Sequence, residues 1–277
     1  MLETSMDVEV LKNEQNVLKF RWHNTNSSLA NALRRVIISE VSTLAIEDVI
    51  FFENGSPMSD EQIAHILAMI PLTSPRGKYF PPDKCEEAEK ERKKCRVVLT
   101  LEARAEKEPL WITSSMLISE DEEVKPVNPN IRITKLPPGR SIKLEAHAVL
   151  GKGKTHAKFQ PGIAYYKFQP VIKIDYKQCT ACSICVTSCP RGILKMENNK
   201  IVVVNPDECS LCALCSDKCP TRPKAIEASY LKDTVIFTIE SNGNMSPIEI
   251  VDEAISVFKE KFNNVKLKVL GAEKVAK

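Results

Sequence analysis

Eight cysteines limit the fold of this chain more than any other feature: residues 179–192 read CTACSICVTSCPRG, and residues 209–222 answer with CSLCALCSDKCPTR. Setting Cys179 on Cys209 superposes Cys182 on Cys212, Cys185 on Cys215 and Cys189 on Cys219. The result is an internal repeat of thirty residues in which each half is C-x2-C-x2-C-x3-C-P. Close spacing lets three thiolates of one loop grip a single centre, while Pro190 and Pro220 turn the chain away beyond the fourth ligand.

In a run of this kind the fourth cysteine of each half ligates the other half's cluster. The inferred sets are Cys179, Cys182, Cys185 and Cys219 for one 4Fe-4S cluster, and Cys209, Cys212, Cys215 and Cys189 for the second. A 3Fe-4S form of one cluster, or cluster loss, is the expected product of oxidation. The halves look like those of a bacterial ferredoxin, so residues 171–227 are expected to form a ferredoxin-like iron–sulfur domain. Zinc is the competing reading, because thiolates bind it too and C-x2-C pairs recur in its sites; disulfides are conceivable after oxidation. Duplication and the terminal prolines favour iron–sulfur. Cys85 and Cys95 lie apart, in a charged stretch without two further cysteines nearby. Free thiols are expected there first, a disulfide second and a shared metal site last.

At 277 residues the chain is long enough for two domains, or three. Its hydrophobic content of 43% and charged content of 27% are those of a folded protein. The formal charge of +3 is a small difference between 39 basic and 36 acidic residues, which argues against sequence-specific DNA binding by this chain. The opening MLETSMDVEVLKNEQN lacks a basic segment followed by an apolar run, and no stretch approaches 18 uninterrupted apolar residues. The expectation is a cytoplasmic protein without a membrane span.

Periodicity places the remaining elements. NVLKFRW (16–22) predicts a strand, and NTNSS supplies N-caps for a helix whose Leu29, Leu33, Val36 and Ile37 fall on one face. STLAIEDVIFFE reads as a strand. Ser59 is positioned to cap a helix carrying Ile63, Ile66, Leu67 and Ile70, closed by Pro71. Residues 75–95 read as a proline-rich, charged surface excursion. Val97, Leu99, Leu101 and Ala103 alternate, as do Ile142, Leu144, Ala146 and Ala148, which predicts two half-buried strands. Near the end, DTVIFTIES (233–241) predicts a strand; Ser246, Pro247 and Glu249 then start a helix bearing Val251, Ile255, Phe258 and Phe262. Both chain ends thus hold a strand and an amphipathic helix.

Other motifs are weaker. AVLGKGKT (148–155) falls short of a phosphate-binding loop, because Ala148 stands where the first glycine is needed and no helix start follows. It reads as a turn between strands. The histidines at 23, 65, 147 and 156 show no catalytic or metal spacing, and Arg34 and Arg35 read as a solvated helix face.

SLANALRRVIISEVSTLAIEDV (28–49), SDEQIAHILAMIPL (59–72) and GKGKTHAKFQPG (151–162) resemble, in collinear order, the signature of the RNA polymerase α-like subunits. That family includes the archaeal D-type polymerase subunit, the third-largest subunit of eukaryotic polymerase II and the N-terminal domain of bacterial α. The resemblance implies an α+β fold with a discontinuous α-like dimerisation domain from residues 1–50 and 228–277. A mainly β domain with helical elements is then inserted over 51–170, and the ferredoxin-like iron–sulfur domain follows at 171–227. It also implies a non-catalytic assembly platform within a nucleotidyltransferase complex. The partners would be a smaller subunit L, two small zinc-binding subunits N and P, and the large catalytic subunits. Leu29, Leu33, Val36, Ile37, Val251, Ile255, Phe258 and Phe262 would form the partner interface, with Arg34 and Arg35 reaching a large subunit. His156 and Lys158 would be structural. Some relatives carry a four-cysteine zinc loop near 81–95, of which only Cys85 and Cys95 remain here. The magnesium-binding motif NADFDGD of the largest subunit is absent. Taken alone, the cysteine run would instead suggest an electron-transfer protein or the iron–sulfur subunit of an oxidoreductase. A redox-sensing role for the clusters would join the two ideas.

Overall fold

The computed structural model describes residues 6–86 and 94–275, with side chains to residue 271. In chain order the strands are β1 (Asp7–Glu14), β2 (Val17–His23), β3 (Ser42–Asn54), β4 (Arg96–Arg104), β5 (Leu110–Thr113), β6 (Ile118–Ser119), β7 (Arg132–Leu136), β8 (Ser141–Lys152), β9 (Gly162–Ile174), β10 (Leu194–Glu197), β11 (Lys200–Val203) and β12 (Ile226–Ser241). The helices are α1 (Ser27–Ser39), α2 (Asp60–Ala68), α3 (Ile184–Ser188), α4 (Leu214–Asp217) and α5 (Pro247–Val275). The chain packs as two units. One holds residues up to Asn13, Lys19–Asn31 and Tyr165–Thr238; the other holds Glu14–Leu18, Ala32–Ala164 and the chain from Ile239 on.

In the larger unit the sheet order is β3-β8-β4-β6, with β5 and β7 forming a separate pair. The antiparallel register sets Leu99 opposite Ala146, Leu101 opposite Leu144 and Val97 opposite Ala148. One face of the sheet is thereby apolar, as the alternation predicts. Ile63 and Leu67 of α2 join that core, and both are fully buried. The start of α2 is set by a capping box: Ser59 Oγ accepts from the Gln62 N–H at 3.4 Å, and Gln62 Oε1 accepts from the Ser59 N–H at 3.1 Å. A matching box of Ser246 and Glu249, with Pro247 in the first turn, starts α5.

The smaller unit is built on the sheet β1-β2-β12-β9. Here the two ends of the chain meet, because β2 lies beside β12. Phe237 of β12 is fully buried and stacks on Phe20 of β2 at 5.3 Å between ring centroids, and on Tyr166 of β9 at 6.3 Å.

Two expectations are corrected. The fold is mostly sheet, and the expected ferredoxin-like iron–sulfur domain is not found as such. Among the described residues no group of three or more His, Cys, Asp or Glu side chains is gathered so as to hold a metal ion. Residues 171–227 contribute one hairpin, β10-β11, and the short helices α3 and α4. Their small core is completed by Ile172 and Ile174 of β9 and Ala228 of β12. A cysteine repeat specifies where thiols fall along the chain, whereas a domain needs its own buried core, and this segment leans on the strands that flank it. Cys85 and Cys95, expected first as free thiols, are joined in a disulfide with Cα atoms 5.6 Å apart. The intervening excursion from 87 to 93, read as charged surface, lies outside the described residues.

One buried charge stands out in the larger unit. Asp121 accepts from Lys78 Nζ at 2.8 Å and from the Tyr79 hydroxyl, and the Asp121 side chain is 8% exposed. Burial alone would push its carboxyl up. The hydrogen bonds from Lys78, Tyr79 and the Glu123 N–H outweigh that and hold it at about 2, while burial and the same carboxylate push the Tyr79 phenol up. A depressed carboxylate stabilises the native state above its unfolded pKa and stops doing so as pH falls through the folded value. Asp121→Asn is therefore expected to lower stability in urea at pH 7 by about 2 kcal/mol. The deficit should narrow below pH ~4 and close near pH ~2; an unchanged deficit across that window would show that charge is not its source.

Candidate functional site

The thirty-residue repeat is a repeat of backbone conformation as well as of sequence. Ala181 and Leu211 adopt positive φ (54° and 57°), and so do Ser183 and Ala213 (62° and 60°), at equivalent places in the two loops. Non-glycine residues enter this region at a cost and are held there by their surroundings. A left-handed residue beside right-handed ones can present its N–H to an anion. In the second loop the Leu211 N–H already points at Cys209 Sγ, at 3.4 Å. Two short helices follow, α3 carrying Cys185 and α4 carrying Cys215.

The loops line two pockets. Cys179, Cys182, Cys185 and Cys219 surround the first, whose apolar wall includes Ile174, Ile201 and Ile226. Cys189, Cys209, Cys212 and Cys215 surround the second, walled by Ile193, Leu194 and Ala228. Each pocket thus takes three cysteines from one half of the repeat and one from the other. Cys185, Cys209, Cys215 and Cys219 are buried, Cys179 and Cys189 half-buried, and Cys182 and Cys212 exposed. Burial pushes the thiols of Cys185 and Cys215 up, a direction that disfavours the thiolate in the metal-free protein. Burial also raises Cys219, but the Thr221 hydroxyl and the N–H groups of Thr221, Ala225 and Ile226 outweigh it, and the net direction is down.

Charged side chains from β2 and β9 seat the turn that leads into Cys209. Asp207 accepts from Arg21 Nη2 at 2.7 Å and from Gln169 Nε2 at 2.8 Å, and Glu208 accepts from Lys19 Nζ at 2.8 Å. Lys167 Nζ donates to the backbone carbonyls of Asp207 and, at 3.2 Å, of Cys209. Burial pulls the Lys167 ammonium below its ordinary pKa, with Glu208 pulling the other way. Nothing in the sequence pattern marks these residues, which lie up to 189 positions from their partners.

The residues expected at a partner interface fall into two groups. Leu33, Val36 and Ile37 of α1 are buried within the chain itself; Leu29 and Arg34 are half-buried and Arg35 is exposed. On α5, Val251 and Phe258 are half-buried, while Ile255 and Phe262 are exposed by 42% and 69%. The exposed series extends in both directions, to Ile248, Val265 and Val269. Ile248, Ile255, Phe262 and Val269 are seven apart, and Val251, Phe258 and Val265 interleave at three and four, the spacing of a helix-pairing seam. The face expected from periodicity ends at Phe262, whereas the seven-residue period continues beyond it. The opposite, inner face is distinct: Ile250 and Ala254 are fully buried. Every residue from 259 to 271 is exposed. Near the middle of the helix Lys261 bonds Glu40 at 2.7 Å; that bond, helped by Lys152 and opposed by burial, holds Glu40 below the usual carboxylate range. Arg76 grips Asp252 and Glu253 at 2.7 and 3.0 Å.

The remaining motifs are structural. The His156 ring accepts from the Lys158 N–H at 3.1 Å, and Lys158 Nζ donates to the Ile46 carbonyl at 2.9 Å. A Cβ on Gly153 would lie 2.0 Å from the Ile38 carbonyl oxygen, and one on Gly151 would lie 2.6 Å from the Phe159 ring. The glycines of GKGKT thus serve close packing, which accounts for their presence without a phosphate.

The relatives of the chain name its class. The model of the RNA polymerase Rpb3/Rpb11 dimerisation domain matches residues 19–262, straight through the cysteine repeat. The chain is 37% identical to DNA-directed RNA polymerase subunit Rpo3 of Pyrococcus furiosus over 256 residues, 92% of this chain and 94% of that protein. It is 36% identical to subunit Rpo3 of Methanosarcina acetivorans over 259 residues, 93% and 96% of the two chains. With DNA-directed RNA polymerase II subunit rpb3 of Dictyostelium discoideum it shares 34% over 288 aligned positions, 94% and 93%. The chain belongs to the Rpo3 family of DNA-directed RNA polymerase subunits. Among the described residues no helix is long and apolar enough to cross a membrane.

The burial pattern orders the thiols by reactivity. In metal-free protein, iodoacetamide is expected to modify Cys182 and Cys212 first and Cys185 and Cys215 last, as followed by peptide mass spectrometry. Uniform labelling of all eight would contradict the pocket geometry.

Proposed function

We propose that this chain is an assembly platform of an archaeal-type RNA polymerase, pairing with a smaller subunit L through the outer seam of α5. The observation that carries this reading is the run of exposed apolar residues Ile248, Ile255, Phe262, Val265 and Val269 on a helix whose inner face is already buried. An apolar helix face of this length in water needs a partner, and a second amphipathic helix fits the period. Leu29, Arg34 and Arg35 flank the pairing surface or reach a large subunit. The small zinc-binding subunits N and P and the large catalytic subunits then build on the heterodimer in the cytoplasm. Catalysis belongs to the complex and not to this chain.

The two cysteine pockets are read as sites for 4Fe-4S clusters. A set of four thiols around each pocket supports this, together with left-handed residues at equivalent places in the two loops. Cys179, Cys182, Cys185 and Cys219 would hold one cluster, and Cys189, Cys209, Cys212 and Cys215 the other. When bound, a cluster supplies four iron–thiolate bonds that cross-link the loops. The chain's own residues exclude water with Ile174, Ile201, Ile226, Ile193 and Leu194. The role is chiefly structural.

Phe262→Asp is expected to weaken binding to subunit L by about 100-fold or more in size-exclusion and calorimetry. Because Phe262 is exposed, the melting temperature of the unpaired chain should stay unchanged. Wild-type heterodimer yield from this variant would remove the α5 seam from the interface. Separately, Cys182→Ser with Cys212→Ser is expected to lower the thermal stability of the cysteine segment and the yield of assembled polymerase. Wild-type values for both in a cluster-free protein would end the structural reading of the clusters.

A further inference from the structure

The two halves of the cysteine repeat are equivalent in sequence but not in how they are anchored. The turn Asp175–Cys179, leading into the first pocket, is held by groups of its own segment. Asp175 N–H donates to the Ala225 carbonyl at 2.8 Å, Cys179 N–H to the Asp175 carbonyl at 3.0 Å, and the Tyr176 hydroxyl to the Ile201 carbonyl at 3.0 Å. The equivalent turn Asn205–Cys209 is held by side chains of the long sheet. Arg21, Gln169 and Asp207 close a three-membered ring of hydrogen bonds, since Arg21 Nε also donates to Gln169 Oε1 at 2.9 Å. Lys167 spans the backbone carbonyls on either side of Glu208.

Arg21 and Asp207 are 19% and 27% exposed, so this is not a solvated surface pair. A charged group held in a planar, two-partner arrangement of this kind fixes direction as well as distance. Holding the Cys209 carbonyl fixes the peptide plane after Cys209, and the Cys209 N–H, bonded to the Pro206 carbonyl at 3.1 Å, fixes the plane before it, and with them the direction of its Cα–Cβ bond. Metal-ligand side chains depend on such outer partners for their aim.

We propose that Lys167, with Arg21 and Asp207, is a positioning site for the second pocket alone: it aims Cys209, so that the polar seating of this pocket depends on side chains of β2 and β9, whereas the first pocket takes apolar packing from Ile174 of β9. The inference rests on the reading that the pockets hold iron–sulfur clusters, and predicts an asymmetry that the repeat itself does not contain.

The test uses the full chain, produced anaerobically with its partner subunit, and measures iron and acid-labile sulfide per chain. It also measures the rate of iron release to a chelator. Wild type is expected to hold about eight irons. Lys167→Met should retain about four, or release half its iron about 10-fold faster, and Lys167→Arg should restore the wild-type rate. In a Cys212→Ser background, where the second pocket is already broken, Lys167→Met should change nothing further. In a Cys182→Ser background it should remove or labilise the remaining iron. If Lys167→Met does not fold, as judged by circular dichroism, Asp207→Asn supplies the same comparison. Wild type without iron overturns the cluster reading itself. Wild type with about eight irons, but with release from the variants unchanged or raised equally in both backgrounds, overturns the positioning role and leaves the cluster reading standing.

Discussion

The pairing of β2 with β12 is the contact on which the rest of the smaller unit depends. Some two hundred residues separate Phe20 from Phe237, yet their rings stack within the sheet. Closing so long a loop costs entropy that only a large apolar contact recovers. Phe237, fully buried between Phe20 and Tyr166, supplies that contact from the middle of the sheet. Once β12 is fixed beside β2, its early residues run out from the cysteine segment and its late ones lead towards α5. One strand therefore leads from the cysteine segment to α5.

The helix α5 shows how one element can satisfy its own chain and remain unsatisfied. Ile250 and Ala254 are buried, Arg76 grips Asp252 and Glu253 of the helix's early turns, and Lys261 near its middle bonds Glu40. Rotated away from that face, the seven-residue series from Ile248 to Val269 stays in water. A helix long enough to be stable in its first half can carry a second, exposed half only if burial elsewhere compensates. Membership of a family defined by a dimerisation domain supplies the context for such a surface.

The cysteine segment separates ligand pattern from fold. Spacing alone gives four cysteines to each half of the repeat, and each pocket is lined by three from one half and one from the other. It does not follow that the segment is a domain. Its buried residues are few, and β9 and β12 complete them. The reading of residues 171–227 as a ferredoxin-like domain fails at that step, because a ligand repeat carries no information about whose apolar residues will close the core. Similarly, Cys85 and Cys95 are legible as cysteines in a charged stretch but not as a bonded pair, since only the fold brings their Cα atoms within 5.6 Å.

What the sequence determined by itself are the properties that repeat locally: the capped starts of α2 and α5, the alternation on β4 and β8, the apolar face of α1, and the cysteine spacing. Each depends on neighbours within a few residues, so periodicity and capping chemistry suffice to read it. Only the tertiary structure decided that Leu33, Val36 and Ile37 are interior while Ile255 and Phe262 face solvent, although both helices look equally amphipathic in the sequence. Only it brought Lys19, Arg21, Lys167 and Gln169 to the turn before Cys209. The physical reason is the same in each case. Which apolar face is covered, and which charge meets which, depends on contacts between residues far apart in the chain, and these exist only after the two ends have joined one sheet.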